Sequence, residues 1–315
     1  MSGTWVPSVV VTLLLSVAVP WIGMRMLAPS LESSARTVTN YRGCRVHDGL
    51  GIVWVFWVGG MVLLLIGMGI ANRSGYPTAD VFASSSIVPM IWATLALGSV
   101  MVIPSFVFGM IDDSYGDGSI RGFRGHVREL ARGRFSTGGL KLVGIGVASL
   151  LVGLVIAQQV AGGVPRVVFA ALLIALSANF VNLTDLRPGR ALKTYSLMLA
   201  GACVMVPFTW GEGPAEGIVG ALLLFVAGVG PVAAVWRYDL SERGMLGDAG
   251  ANPAGALVGV FFAMWWPLWG VIALVVLLGV LNVVSEKVSF SSAIENSTLL
   301  RWFDGLGQLG EDGHG

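Results

Sequence analysis

Acidic and amide side chains gather at a few places whose residue types suit one chemistry. Asp112 and Asp113 fall within Gly109-Met110-Ile111-Asp112-Asp113-Ser114-Tyr115-Gly116-Asp117. Asn179, Asn182 and Asp185 recur in Asn179-Phe180-Val181-Asn182-Leu183-Thr184-Asp185, and Asp248 sits in Gly247-Asp248-Ala249-Gly250. A smaller group is Ser285-Glu286-Lys287. Adjacent carboxylates repel, so one holds its proton unless a cation stands near. A hard divalent ion meets that need. Magnesium takes one or two carboxylates and completes its shell with waters and substrate phosphates. Lys141 and the arginines around these groups suit phosphate oxygens. Acids, amides and bases together point to magnesium-assisted phosphoryl transfer at a membrane surface, with a lipid as one reactant. A lone Asp-Asp at a helix end is ordinarily a solvated loop; several such groups on one side weigh against that.

The elements that must position these residues are membrane helices. Of 315 residues, 55% are hydrophobic and only 12% charged, against about 25% charged in a soluble domain. That excludes a soluble enzyme, a disordered chain and a disulfide scaffold. The formal net charge of +1 gives no reason to expect nucleic acid. Lipid admits only helices and closed barrels, and the apolar runs are too long for barrel strands. Nine spans are read, at 5–28, 50–71, 86–111, 140–161, 164–181, 192–209, 217–236, 253–267 and 268–285. The fold class is therefore all-α, a polytopic helical bundle forming one catalytic unit over 1–285, with a partly flexible cytoplasmic segment over 286–315. Trp265, Trp266, Pro267 and Trp269 suggest an interfacial turn between the last two spans, with tryptophans at headgroup depth; one long kinked helix is the competing reading. The first run lacks a cleavage site after a short apolar core and reads as a retained span.

Of the 19 lysines and arginines, all but Arg73 and Arg166 fall on one side of this arrangement. Such a bias makes that side cytoplasmic and the amino terminus external, in a multi-pass protein of the plasma membrane. All the acidic groups lie on the basic side. Segment 119–134 is either an interfacial amphipathic helix or a plain topology signal. Its His126 reads as structural or interfacial, and His47 with Asp48 as a solvated loop, with a pair near the cleft as the alternative. Glycines in spans 2, 4 and 7 suggest close helix packing. Cys44 and Cys203 belong at different depths and read as free thiols.

Ile111-Asp112-Asp113, Asn179-x-x-Asn182-x-x-Asp185 and Gly247-Asp248-Ala249-Gly250, in that order and on one side, resemble the three cytoplasmic signatures of the polyprenyl-phosphate sugar-1-phosphate transferases. That family includes bacterial phospho-N-acetylmuramoyl-pentapeptide transferase and the N-acetylglucosamine-1-phosphate transferases of surface polysaccharides. The resemblance covers about residues 40–260. It implies transfer of a sugar-1-phosphate from a nucleotide-diphosphate sugar, UDP-linked in the family, to undecaprenyl phosphate for cell-envelope glycans such as peptidoglycan. Asp112 and Asp113 match the paired aspartates, of which Asp113 by preference orients or deprotonates the lipid phosphate. Asp248 matches a magnesium ligand, and Asn182 an amide reaching the same ion or the diphosphate. Lys141 resembles a lysine that holds the diphosphate, while Asn179 and Asp185 belong to the substrate-binding signature. Gly247 and Gly250 would let the backbone approach substrate.

Three places depart from the family. The loop before span 2, Gly43 to Gly51 with Asp48, has no proline, where the family usually carries a proline and glycine pair. The family's third signature usually continues into Asp-Gly or Asn-Gly, contacting the base. Here the chain reads Pro188-Gly189, and proline has no donor, so Arg187, Arg190 and Lys193 are expected to grip phosphates instead. The histidine-rich motif of the last loop is replaced by Val283-Val284-Ser285-Glu286-Lys287. Two alternatives stay open: a catalytically degenerate member that acts as an envelope-assembly binding protein, and a secondary transporter. A homodimer is open as well.

Overall fold

Residues 10–34, 37–73, 87–116, 131–209, 214–288 and 290–308, with 125, 128 and 129, are described by a computed structural model. Nine long helices account for most of them. They are α1 (Val10–Glu32), α2 (Val53–Arg73), α3 (Ile87–Tyr115), α4 (Thr137–Gln159) and α5 (Gly163–Thr184), followed by α6 (Arg190–Thr209), α7 (Pro214–Leu240), α8 (Asp248–Trp265) and α9 (Leu268–Ser285). Two short helices follow, α10 (Phe290–Glu295) and α11 (Thr298–Gly305). Each expected span has its helix, with ends shifted by a few residues. The chain is an all-α polytopic bundle, with one small exception: β1 (Val38–Thr39) and β2 (Arg45–Val46) pair antiparallel, Val38 opposite Val46 and Thr39 opposite Arg45.

Eight of the nine helices are long and apolar enough to cross a membrane. The exception, α8, carries Asp248, Asn252 and many small residues, and every residue from Ala249 to Trp265 is buried. Helices that face lipid need apolar side chains; α8 faces other helices and needs small ones. It packs chiefly against α3 and α5. Ala251, Gly255 and Gly259 recur every four residues, and a Cβ at Gly255 or Gly259 would run into the α5 backbone at Ser177 and Ile174. The glycine packing expected in spans 2, 4 and 7 is present too. Added Cβ atoms at Gly60 and Gly230 would collide with the Leu15 and Ser16 carbonyls of α1, where the helix is π over Leu14–Ala18. At Gly153 the obstacle is the Val167 carbonyl of α5.

The connections at one end meet one another. Met245 N–H donates to the His47 carbonyl at 2.8 Å, Asn40 Nδ2 donates to Glu242 at 2.9 Å, and Gln308 Nε2 donates to the Pro188 carbonyl at 3.0 Å. This basic end therefore joins the loops after α1, α5 and α7 to the carboxyl-terminal segment, as the alternation of spans requires. At the far end, Thr209 Oγ1 donates to the Trp265 carbonyl at 3.0 Å.

The chain breaks between α8 and α9 at Trp266, which is extended, and Pro267. Two helices, not one kinked helix, occupy this stretch. The tryptophans divide differently from expectation. Trp269 is exposed, but Trp265 is fully buried and its indole donates to Thr94 Oγ1 at 3.0 Å. An indole N–H inside the bundle needs such a partner. Cys44 and Cys203 are both free, the first exposed and the second buried. The expected amphipathic segment 119–134, with His126, falls mostly outside the described residues, as do residues 309–315.

Candidate functional site

The last turn of α3, the first turn of α4 and the amino terminus of α8 meet at the basic end. Lys141 enters from α4 between two carboxylates, pairing with Asp112 at 2.7 Å and with Asp248. Thr137, one turn earlier on α4, hydrogen-bonds Asp112, and the Asp112 and Asp248 carboxyl groups reach each other. One ammonium between two carboxylates offsets repulsion that would otherwise force a proton onto the pair.

Asp113 turns the other way. Its Oδ1 accepts the Asp248 N–H at 2.9 Å and its Oδ2 accepts the Ala249 N–H at 2.8 Å. Gly247, the residue before α8, has φ +64° and contributes no side chain to cap the helix. A carboxylate from α3 satisfies those first-turn donors instead, where a helix leaves them unpaired and favours negative charge. A Cβ at Gly247 would stand 2.9 Å from Asp113 Oδ2, so glycine is needed on both counts. The side chain expected to act on the lipid phosphate is therefore the one that positions α8 and, through it, Asp248.

A cavity of about 590 Å³ opens beside this group, lined by Asp48, Asp113, Asn182, Asp185, Gly247 and Asp248 together with Ser285 and Phe290. Asn182, in the last turn of α5, lines the cavity, and its side chain has no hydrogen-bond partner among the described residues. Asp185 follows α5 and accepts the Gly247 N–H. Burial, reinforced by Asp239 and Asp248, pushes its carboxyl well above the usual range. His47 and Asp48 are not a solvated loop: both are buried, and Asp48 reaches the cavity. Burial holds the His47 imidazole below its usual value against the pull of Glu32 and Asp48.

Five expected substrate contacts lie elsewhere. Asn179 donates to Asn282 Oδ1 of α9 at 2.5 Å and ties two helices together. Gly250 packs against Gly51, and its carbonyl accepts the Trp54 indole at 2.8 Å. This is close helix packing, with no room for substrate. Arg187 pairs with Glu295 and lies over the Tyr41 ring. Arg190, 4% exposed, binds Asp304 through Nε at 2.8 Å and Nη2 at 2.7 Å, and also Ser291. Lys193 donates to the Phe303 and Asp304 carbonyls at the end of α11. A buried cation must be paired, and the carboxyl-terminal segment supplies the partners. These cations are anchors for that segment.

Four residues of this network carried no readable signal of their own. Asp239 ends α7, and its Oδ2 accepts the Gly189 N–H at 2.6 Å, closing the turn after Asp185. Asp304, 114 positions from Arg190, was one acid in a short tail. Thr137 lies just ahead of the span expected at 140–161. Arg166 read as an outer-loop charge, yet it is 4% exposed and its Nη1 donates to the Trp266 and Ala263 carbonyls at the carboxyl end of α8.

The donor set bears on magnesium directly. Among the described residues, no group of three histidine, cysteine, aspartate or glutamate side chains stands ready to hold a metal. The site offers the Asp248 carboxylate, the uncommitted Asn182 amide and open volume. That suits an ion which keeps its waters and takes substrate phosphates as ligands, and not one that needs a closed protein cage. A scan against protein-family models finds no match to this chain, and a search of curated proteins finds none.

Proposed function

We propose that this protein transfers a sugar-1-phosphate from a nucleotide-diphosphate sugar, with UDP the expected nucleotide, to undecaprenyl phosphate at the cytoplasmic face of the membrane. The observation that carries the reading is that Asn182, Asp185 and Asp248 line one cavity at the basic end, with Lys141 and Asp112 joined to it through the ion pair of Lys141 with Asp248, so that four separate stretches of chain meet there. Both reactants are anions, and one phosphoanhydride replaces another. The barrier is thus dominated by repulsion, and the useful residues are those that fix positive charge where phosphates meet.

Lys141 sits beside the cavity-lining Asp248 and is the proposed contact for a diphosphate, with Asp112 and Asp248 holding its ammonium in place. Asp113 holds the first turn of α8, so that the Asp248 carboxylate stays at the cavity wall. Magnesium, held by Asp248 with Asn182, would supply charge neutralisation on the phosphate oxygens. Asp112, paired with Lys141 and hydrogen-bonded by Thr137, serves to fix that ammonium, while Asp113 has both oxygens engaged with backbone donors. A secondary transporter would carry its ionisable groups near the middle of the bundle. These groups occupy helix ends.

The test is direct. Purified protein is incubated with undecaprenyl phosphate, magnesium and a panel of radiolabelled nucleotide sugars, and lipid extracts are counted. One donor should give a lipid-linked product that needs magnesium and disappears in Asp248→Asn. Folded protein that yields no such product with any donor refutes the reading and leaves a binding role.

A further inference from the structure

We infer that α11 lies in the membrane interface, with its outer face in the headgroup region of the leaflet at the basic end. Leu299, Trp302, Phe303 and Leu306 recur at the spacing of a single helical stripe and are exposed by 71, 62, 39 and 41%. Asp304 points the opposite way and is buried against Arg190. A helix this short, with one apolar face in water and the other held by an ion pair, is stable only where something covers the apolar face.

The covering surface is lipid, on two grounds. The first is continuity. Val276, Val280, Val283, Val284 and Val288 are exposed along and just past α9, where that helix faces the acyl chains. The chain then turns at the basic end and presents the stripe of α11 within about twenty residues of the bilayer core. The second is chemistry. Trp302 is a side chain that favours the headgroup zone. Lys287 is exposed just past α9 at the same end, where anionic lipid would meet it. Apolar stripe, tryptophan and a nearby cation together are the pattern of a helix lying on a membrane.

The placement has a consequence for the cavity, because Phe290 of α10 forms part of its wall. The segment that floats on the leaflet is thus continuous with the segment that borders the acidic cavity. The inference itself holds whether or not the chain is a transferase.

The experiment uses the full chain carrying Cys44→Ser and Cys203→Ala, with a single cysteine introduced as Trp302→Cys, Leu299→Cys or Arg301→Cys and labelled with an environment-sensitive fluorophore. Each protein is reconstituted into phosphatidylcholine–phosphatidylglycerol vesicles with or without lipids bearing a nitroxide near the headgroup. Blue-shifted emission and loss of fluorescence on nitroxide lipid at 299 and 302, but not at 301, is the expected result. Water-like emission without quenching at 299 and 302 overturns the proposal. So does blue-shifted emission without quenching that accompanies 302-to-302 crosslinking, since a second copy would then cover the stripe. The labels stand on exposed positions, and a magnesium-independent check of folding is given by unchanged elution on gel filtration.

Discussion

Removing the Asp113 carboxylate tests how α8 is held. Asp113→Ala strands two first-turn N–H groups, of Asp248 and Ala249, that now donate at 2.9 and 2.8 Å. Each buried donor left without a partner costs about 1–3 kcal/mol. The substitution should therefore cost about 2–6 kcal/mol, with the loss of a negative charge at the helix amino terminus included in that range. Asp113→Asn keeps one acceptor oxygen and should cost about half as much. A stability change of 1 kcal/mol moves the melting temperature by about 2–4 °C in chains of this general size, so the alanine variant should melt at least about 4 °C lower. The buried Cys203 thiol supplies the assay. In a Cys44→Ser background, a thiol-reactive fluorogenic dye reports unfolding in detergent as Cys203 becomes accessible. Order matters as well as size: wild type above Asn above Ala. Equal melting for wild type and Asp113→Ala would show that the two hydrogen bonds do not hold α8.

Other outcomes follow from the same contacts. Lys141→Ala leaves Asp112 facing Asp248 without a cation, and radiolabelled lipid product should fall by about 100-fold or more. The His47 imidazole is held below its usual 6.5 by burial; a base with a lowered native pKa favours folding above 6.5 and loses that contribution as pH falls toward the lowered value. Melting temperature should therefore drop on acidification through this window, and His47→Asn should flatten the drop. Asp304→Ala leaves the Arg190 guanidinium buried without its partner, at about 3–5 kcal/mol, and limited proteolysis should then cut within 286–308 far faster than in wild type. Thiol titration should count one reactive cysteine in the native protein and a second only after denaturation.

The spans were legible because lipid imposes the same demand on every crossing helix, and apolar length records it. Even α8 was legible as a helix, though its small residues and Asn252 belong to one walled in by protein and it is not among the eight helices apolar enough to cross a membrane. The acidic groups were legible because acids are rare in such a chain. Pairings were not. Nothing local to Arg190 or Lys193 distinguishes a cation that grips phosphate from one that anchors a tail; the difference lies in Asp304 and the end of α11, more than a hundred positions away. Asp112 and Asp113 are neighbours of one type, yet consecutive helix positions point about 100° apart. One therefore meets Lys141 and the other the α8 backbone. Gly250 read as a site of substrate approach when its reason is Gly51.

Helix α8 carries an acid from α3 at its amino end and Arg166 of α5 at its carboxyl end. Such a segment partitions poorly into lipid by itself, since its aspartate, asparagine and glycines gain nothing from acyl chains. Both of its clamps belong to helices that precede it, and synthesis runs from the amino terminus. By the time α8 leaves the ribosome, α1 to α7 can already form a socket with a charge waiting at each rim, and α9 follows to shut it. The order of the polypeptide is thus also a workable order of assembly, in which the least lipid-compatible helix arrives only after its housing exists.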